Sequence, residues 1–308
     1  MRRLLVAAFA LVLAACKTAA PLPPKAIELN QTGAAALAAG DLATAEARIA
    51  LALEYNPRFV EAWTNLGLIE LRRGNFDAAY HDFRKARDLN DDLPTPHHAI
   101  GLLFDQRGMG KEAEANYRAA LRVDPGFAPA RVNLGRRLFA RGAFDEAQEQ
   151  FLRLTQVSPE TLDGWLGLCE SLLQLGREAE ADEVLAKVQT RFPDAPEAAL
   201  LVGRKLLREE KLDEAEATFA RLTTYPDKTR SAAAWAWIAM ARIGRGDEAR
   251  AIDAAKAALA IDREDAVATY AMGIALRMKG DHAADAWLER SNKLSPRNVA
   301  VLPKGKGQ

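Results

Sequence analysis

The stretch VEAWTNLGLIELRRGNFDAAYHDFRKARDLNDDL, residues 60–93, decides the fold of this chain. It holds two apolar runs of about a dozen residues, each with helical spacing. Between them sits Arg73-Gly74-Asn75, whose glycine breaks the helix and turns the chain. Leu66 and Phe83 are bulky, whereas Gly67 and Ala79 are small. Small residues on facing helices let the two backbones approach closely, and bulky ones fill the flanks. One such helix pair cannot bury its own apolar faces, so it must stack on copies of itself.

The copies are present. Gly33, Gly67, Gly101, Gly135, Cys169 and Gly203 follow one another at intervals of 34 residues, and Ala239 and Gly273 continue at 36 and 34. A second series runs Ala45, Ala79, Ala113, Ala147, Ala181, Ala215, Ala251, Ala284. Both series slip at the same place, which indicates a two-residue insertion near Tyr225 to Arg230. Repeat eight has lost one residue between Gly280 and Ala284. Pro57, Pro125, Pro159, Pro193, Pro226 and Pro296 close the repeats, because proline cannot continue a helix. Asp91 and Arg263 interrupt that third series. Repeats therefore start near 26, 60, 94, 128, 162, 196, 232 and 266.

Composition supports the same class. The 308 residues are 49% hydrophobic and only 7% aromatic, a balance that suits Ala- and Leu-rich helices. Forty-two basic residues match 42 acidic ones, so the basic excess of a charge-driven nucleic-acid binder is missing. Two Cys and four His are too few for a zinc cluster or a disulfide framework. No metalloprotease motif, Gly-x-Ser-x-Gly elbow or Walker loop occurs. Gly108-Met109-Gly110-Lys111 occupies a repeat turn and lacks the rest of a phosphate loop. Asp77, Asp145 and Asp213 follow turns, where capping and the helix dipole favour acids. Cys169 stands in the glycine slot, which suits a small buried hydrophobe better than a nucleophile. The expectation is a non-catalytic protein with no cofactor, no metal site, no nucleic-acid partner and no small-molecule substrate.

The pattern resembles the tetratricopeptide repeat. Repeat two carries it at Trp63, Leu66, Gly67, Gly74, Ala79, Phe83 and Ala86. Repeat three carries it at Ile100, Gly101, Phe104, Gly108, Ala113, Tyr117, Ala120 and Pro125. Repeat four has Leu134, Gly135, Leu138, Gly142, Ala147, Phe151 and Pro159. Across residues 26–298 the resemblance implies an all-α, right-handed superhelical solenoid of about eight helix-turn-helix repeats. It also implies a concave groove, lined by the first helices, that binds a polypeptide partner. The family's groove positions fall on Asn65, Leu68, Arg72, His98, Leu102, Asn133, Arg136, Phe139, Arg204, Arg208, Trp237 and Tyr270. There the asparagines suit a peptide backbone and the arginines suit carboxylates. Asn30 and Ala34 leave the clamp of the chaperone-binding members incomplete.

The N-terminus reads as an address. Arg2 and Arg3 precede an apolar run from Leu4 to Leu13, too short to span a bilayer but suited to a secretory signal. Leu13-Ala14-Ala15-Cys16 resembles a bacterial lipobox. That resemblance implies loss of residues 1–15, lipid on Cys16, and a tether over 16–25. Lys17 by analogy favours the outer membrane, facing the periplasm. The alternative is an ordinary signal cut after Ala15 that leaves Cys16 a free thiol. Residues 299–308 read as a disordered tail. A lipid-anchored array of this kind is similar to pilus-assembly lipoproteins of the secretin-pilotin and tight-adherence types. That similarity implies a secretin as partner, although the pilotins usually carry six repeats. An adaptor for outer-membrane protein assembly or peptidoglycan enzymes is the second reading. An envelope hydrolase or transferase is the third.

Overall fold

The structure, a computed structural model, describes residues 21–294, and every regular element among them is an α-helix. The chain divides into two compact units, one ending at Pro125 and the next beginning at Gly126. The first unit holds α1 (Pro24–Ala39), α2 (Leu42–Tyr55), α3 (Val60–Arg73), α4 (Phe76–Leu89), α5 (Pro94–Gln106) and α6 (Gly110–Val123). The second holds α7 (Ala128–Ala140), α8 (Phe144–Val157), α9 (Leu162–Gln174), α10 (Glu178–Arg191) and α11 (Pro196–Arg208). It continues with α12 (Leu212–Ala220), α13 (Lys228–Arg245), α14 (Glu248–Ile261), α15 (Ala266–Met278) and α16 (Ala284–Leu294). Each odd-numbered helix pairs with the even-numbered helix after it, and the hairpins pack in chain order within each unit.

Local chemistry makes each hairpin. Gly74 ends α3 in the left-handed conformation (φ 80°), and its N–H donates to the Leu71 carbonyl at 3.1 Å. The Asn75 N–H reaches back to the Glu70 carbonyl at 2.9 Å, completing a Schellman turn. Gly40, Gly108, Gly142, Gly176, Gly246 and Gly280 also carry positive φ at this turn. Glu210 holds the same place in the sixth hairpin with φ 57°, although its side chain disfavours that conformation. The loops between hairpins are tied differently. The Trp63 indole N–H donates to the Pro57 carbonyl (2.8 Å), and Trp165 does the same to Pro159 (2.9 Å). His97 ties back to Asp91, Nε2 to Oδ1 at 3.0 Å, at the repeat where Asp replaces Pro.

The glycine slots explain the packing. A Cβ on Gly67 would lie 2.5 Å from the Phe83 ring, one on Gly101 2.5 Å from Tyr117, and one on Gly135 2.8 Å from Phe151. Each ring, with Ile49 and Phe219 at the equivalent places, is buried against its slot. Where the slot residue is larger, the residue opposite is smaller: Cys169 is matched by Leu185, and Ala239 by Ala255. Cys169 with Leu185 fills about the space of glycine with a ring, whereas the two alanines fill less and suit a closer helix pair.

Several expectations need adjustment. Helix α1 already starts at Pro24, with proline at N1 where its missing N–H costs nothing, so the expected tether's last two residues are helical. The insertion shortens α12 to 9 residues, and α13 starts at Lys228 rather than near 232, reaching 18 residues. Asp227 drives that early start by accepting from the Thr229 and Arg230 N–H groups at 2.9 and 3.2 Å. Asp77, Asp145 and Asp213 lie in first turns but make no capping hydrogen bond, so the dipole rather than capping favours acids there. Cys16, the signal peptide and the 299–308 tail lie outside the described residues.

Replacing Gly101 with Leu should lower the free energy of unfolding by about 1–3 kcal/mol, because the added side chain needs the space of the Tyr117 ring. Equilibrium urea unfolding checks this; unchanged stability would mean that the ring does not fill the slot.

Candidate functional site

In the first unit the expected groove residues lie on the first helices α3 and α5, and each is engaged with its neighbours. The Asn65 amide donates to Asn30 Oδ1 at 2.9 Å, joining α3 to α1. The Arg72 guanidinium donates to the Leu37 carbonyl on α1. Leu68 packs against core on both sides of its hairpin, and Leu102 against the core around Phe83. The His98 ring lies 5.7 Å from that of Tyr117, and burial pulls its pKa down to about 4. It is therefore uncharged at neutral pH.

The second unit gathers Arg136, Phe139, Arg204 and Trp237 around one cavity of about 430 Å³. Phe151, Leu166, Gly167, Leu200 and Leu201 complete its apolar lining, and Asp163, Glu170 and Glu197 add carboxylates. Its origin is a change in stacking. Helix α7 packs on α9, and α11 on α13, but α9 and α11 stand apart, and α10 meets α11 sparsely. The floor includes the Phe151 ring, seated against Gly135 and also against Gly167, where an added Cβ would lie 2.5 Å from it.

The rim is a ladder of ion pairs from one first helix to the next. Arg136 on α7 pairs with Asp163 on α9 (2.8 Å), Glu170 on α9 with Arg204 on α11 (3.4 Å), and Glu197 on α11 with Arg230 on α13. Arg204 also lies 5.1 Å above the Trp237 ring, which stacks on Phe219 at 6.3 Å. The arginines that the family resemblance offers to acidic partners are thus already paired within the protein.

Other expected residues lie elsewhere. Arg208 turns away to Asp182 on α10, at 2.9 Å. Tyr270 is only 7% exposed and belongs to the core around Ile238 and Met272. Asn133, on α7, is half-buried and bonded. Sequence reading missed Asp163, Glu197, Arg230 and Gly167, and the pairing of Glu170 with Arg204. A signal for that pairing existed: the two are one repeat apart, so stacking brings them level.

Reactive groups do not converge on the cavity. The Cys169 thiol is buried, contacts the Ala181 carbonyl at 3.5 Å, and is pushed up to about 12, chiefly by burial. Burial also raises the carboxyl of Asp265, which caps α15 through the Ala268 N–H. Among the described residues no three His, Cys, Asp or Glu side chains come together to hold a metal ion. No helix among them is long and apolar enough to cross a membrane.

Known proteins give the class. Tetratricopeptide repeat family models match residues 30–94, 106–161 and 138–204, together just over half of the sequence. The chain is a tetratricopeptide repeat protein. Among solved structures it is similar to a tetratricopeptide repeat protein from Parabacteroides merdae (18% identity, 82% of this chain and 100% of that one, TM-score 0.60). It is also similar to a chain of the APC/C hetero-tetramer Cut9-Hcn1 (20% identity, 84% of this chain and 51% of that one, TM-score 0.63). YrrB, described as a repeat protein with an unusual peptide-binding site, shares 22% identity over 56% of this chain and 89% of its own, with a TM-score of 0.43. No curated protein matches the sequence.

The thiol gives a test. In a Cys16→Ser variant, Cys169 is the sole thiol, and its raised pKa means less thiolate in the folded protein at any pH below about 12. Alkylation at pH 8 should be at least ten times slower in buffer than in urea. Equal rates would contradict the buried placement.

Proposed function

We propose that this protein is a non-catalytic scaffold, anchored to the bacterial envelope through lipid on Cys16, which binds polypeptide partners on its first-helix face. The observation that carries the binding half is the cavity between α9 and α11, apolar at its floor and rimmed by paired charges. Such a surface suits recognition, because apolar area supplies affinity and fixed polar groups supply orientation. Being a tetratricopeptide repeat protein supports a role in protein–protein interaction.

The anchoring half rests on the basic start, the ten-residue apolar run and the lipobox-like quartet ending at Cys16. Two or more acyl chains give stable attachment where one gives only marginal binding. A lipid-anchored array at the outer membrane would present its repeats to the periplasm, where a secretin or another part of a pilus or secretion machine would be the partner. Outer-membrane protein assembly and peptidoglycan enzymes are the other machines such an adaptor would serve.

Two measurements test these halves separately. Arg136→Glu combined with Phe139→Ala should reduce partner recovery from solubilised membranes at least tenfold, with the helical signal retained. Undiminished recovery would move the contact off this face. Cys16→Ser should shift the protein from the membrane to the periplasmic fraction, and continued membrane residence would refute lipidation as the anchor.

A further inference from the structure

Beyond a general binding face, the second unit contains one place where the stacking of first helices is broken. In that unit's other first-helix steps the helices close on one another. Between α9 and α11 they do not, and the gap is lined by Leu166, Leu200, Leu201, Phe139 and Trp237. The fifth hairpin, just before this step, differs from both of its neighbours. In the fourth, the Phe151 ring fills its own slot and also reaches Gly167 on the next first helix. In the sixth, the Phe219 ring fills its slot and stacks on Trp237 of the next first helix. The fifth hairpin has Leu185 at this place, with Cys169 in the slot, and so lacks the ring that spans to the next repeat.

We infer that this seam is an anchor pocket for one bulky apolar side chain, Trp or Phe, from a net-neutral segment of a partner polypeptide. The inference rests on the scaffold reading above. The lining already carries three rings, Phe139, Phe151 and Trp237, so an aromatic side chain meets aromatic partners there. A volume of about 430 Å³ accommodates such a side chain with its flanking backbone. Charge selects the segment. Arg136 is matched by Asp163, Arg204 by Glu170 and Glu197 by Arg230, so the rim offers no uncompensated charge to an acidic or a basic ligand. A charged side chain entering the seam would have to break one of these pairs and lose its own hydration. An apolar one displaces only water from the floor. Trp237, with Arg204 over one face, forms the wall nearest α13 and is the natural reporter of occupancy.

The probes are fluorescein-labelled 14-residue peptides with a central Trp, Phe, Leu or Ala, each made at net charge −3, 0 and +3. Binding to the full chain is read by anisotropy at 150 mM salt. The neutral Trp and Phe peptides should bind at least tenfold more tightly than the Ala peptide and more tightly than either charged set. Leu200→Trp, which fills the seam, should abolish that preference. Leu200→Phe serves if the first variant melts early, and thermal unfolding by circular dichroism reports folding for both. Aromatic binding unaffected by either filled variant would overturn the seam while leaving the scaffold reading standing. A preference for charged peptides, or no difference between aromatic and Ala peptides, would overturn the pocket's chemistry. A concentration-dependent dimer lost in Leu200→Trp would show that a second copy, not a partner, occupies the seam, and would equally overturn the proposal. The scaffold reading fails separately, through undiminished partner recovery in the Arg136→Glu, Phe139→Ala variant.

Discussion

A ring seated where a glycine leaves room is the contact on which the rest of this molecule depends. It fixes the distance between the two helices of a hairpin, because Gly67, Gly101 and Gly135 have no Cβ and their partner rings take that space. In two hairpins of the second unit it also sets the next step of the stack, since Phe151 reaches Gly167 and Phe219 reaches Trp237. Such contacts are short-range and steric, so errors do not average out. A repeat either has the plug and closes on its neighbour, or lacks it and must be held in another way.

The fifth hairpin is held in another way. With Cys169 and Leu185 in place of glycine and ring, its own interior stays filled, yet no ring spans to α11. The step is bridged by partly exposed ion pairs, Glu170 with Arg204 and Asp182 with Arg208, each contributing on the order of 1 kcal/mol or less. Local weakness of this kind is common where ligands bind. The seventh hairpin solves the same problem differently. Ala239 and Ala255 let α13 and α14 come close, and the long α13 packs along α15 without a gap.

The sequence made the slots, turns and hairpin count legible, because each is set by residues at fixed intervals within a repeat. Cys169 was legible as a slot residue for the same reason. Its pairing with Leu185, and the consequence for α11, were not, because they depend on whether a side chain spans between repeats. The candidate site was half legible. Arg136, Phe139, Arg204 and Trp237 do meet at one cavity, whereas Tyr270 faces the core and Arg208 faces α10. The family's groove positions predict a face of a helix, but not which arginine finds a carboxylate one repeat away. The early start of α13 followed from Asp227 as a cap, a local signal that the repeat register masked.

The claim that ring contacts set the steps of the stack is tested most directly by adding one where the fifth hairpin has none. In a Cys169→Gly, Leu185→Phe double variant, α9 and α11 should close on each other. Backbone amides of α11, Pro196–Arg208, should then exchange with deuterium several-fold more slowly than in the unaltered chain. Exchange in α11 that is unchanged or faster, in a variant that folds as well as the original, would contradict the account.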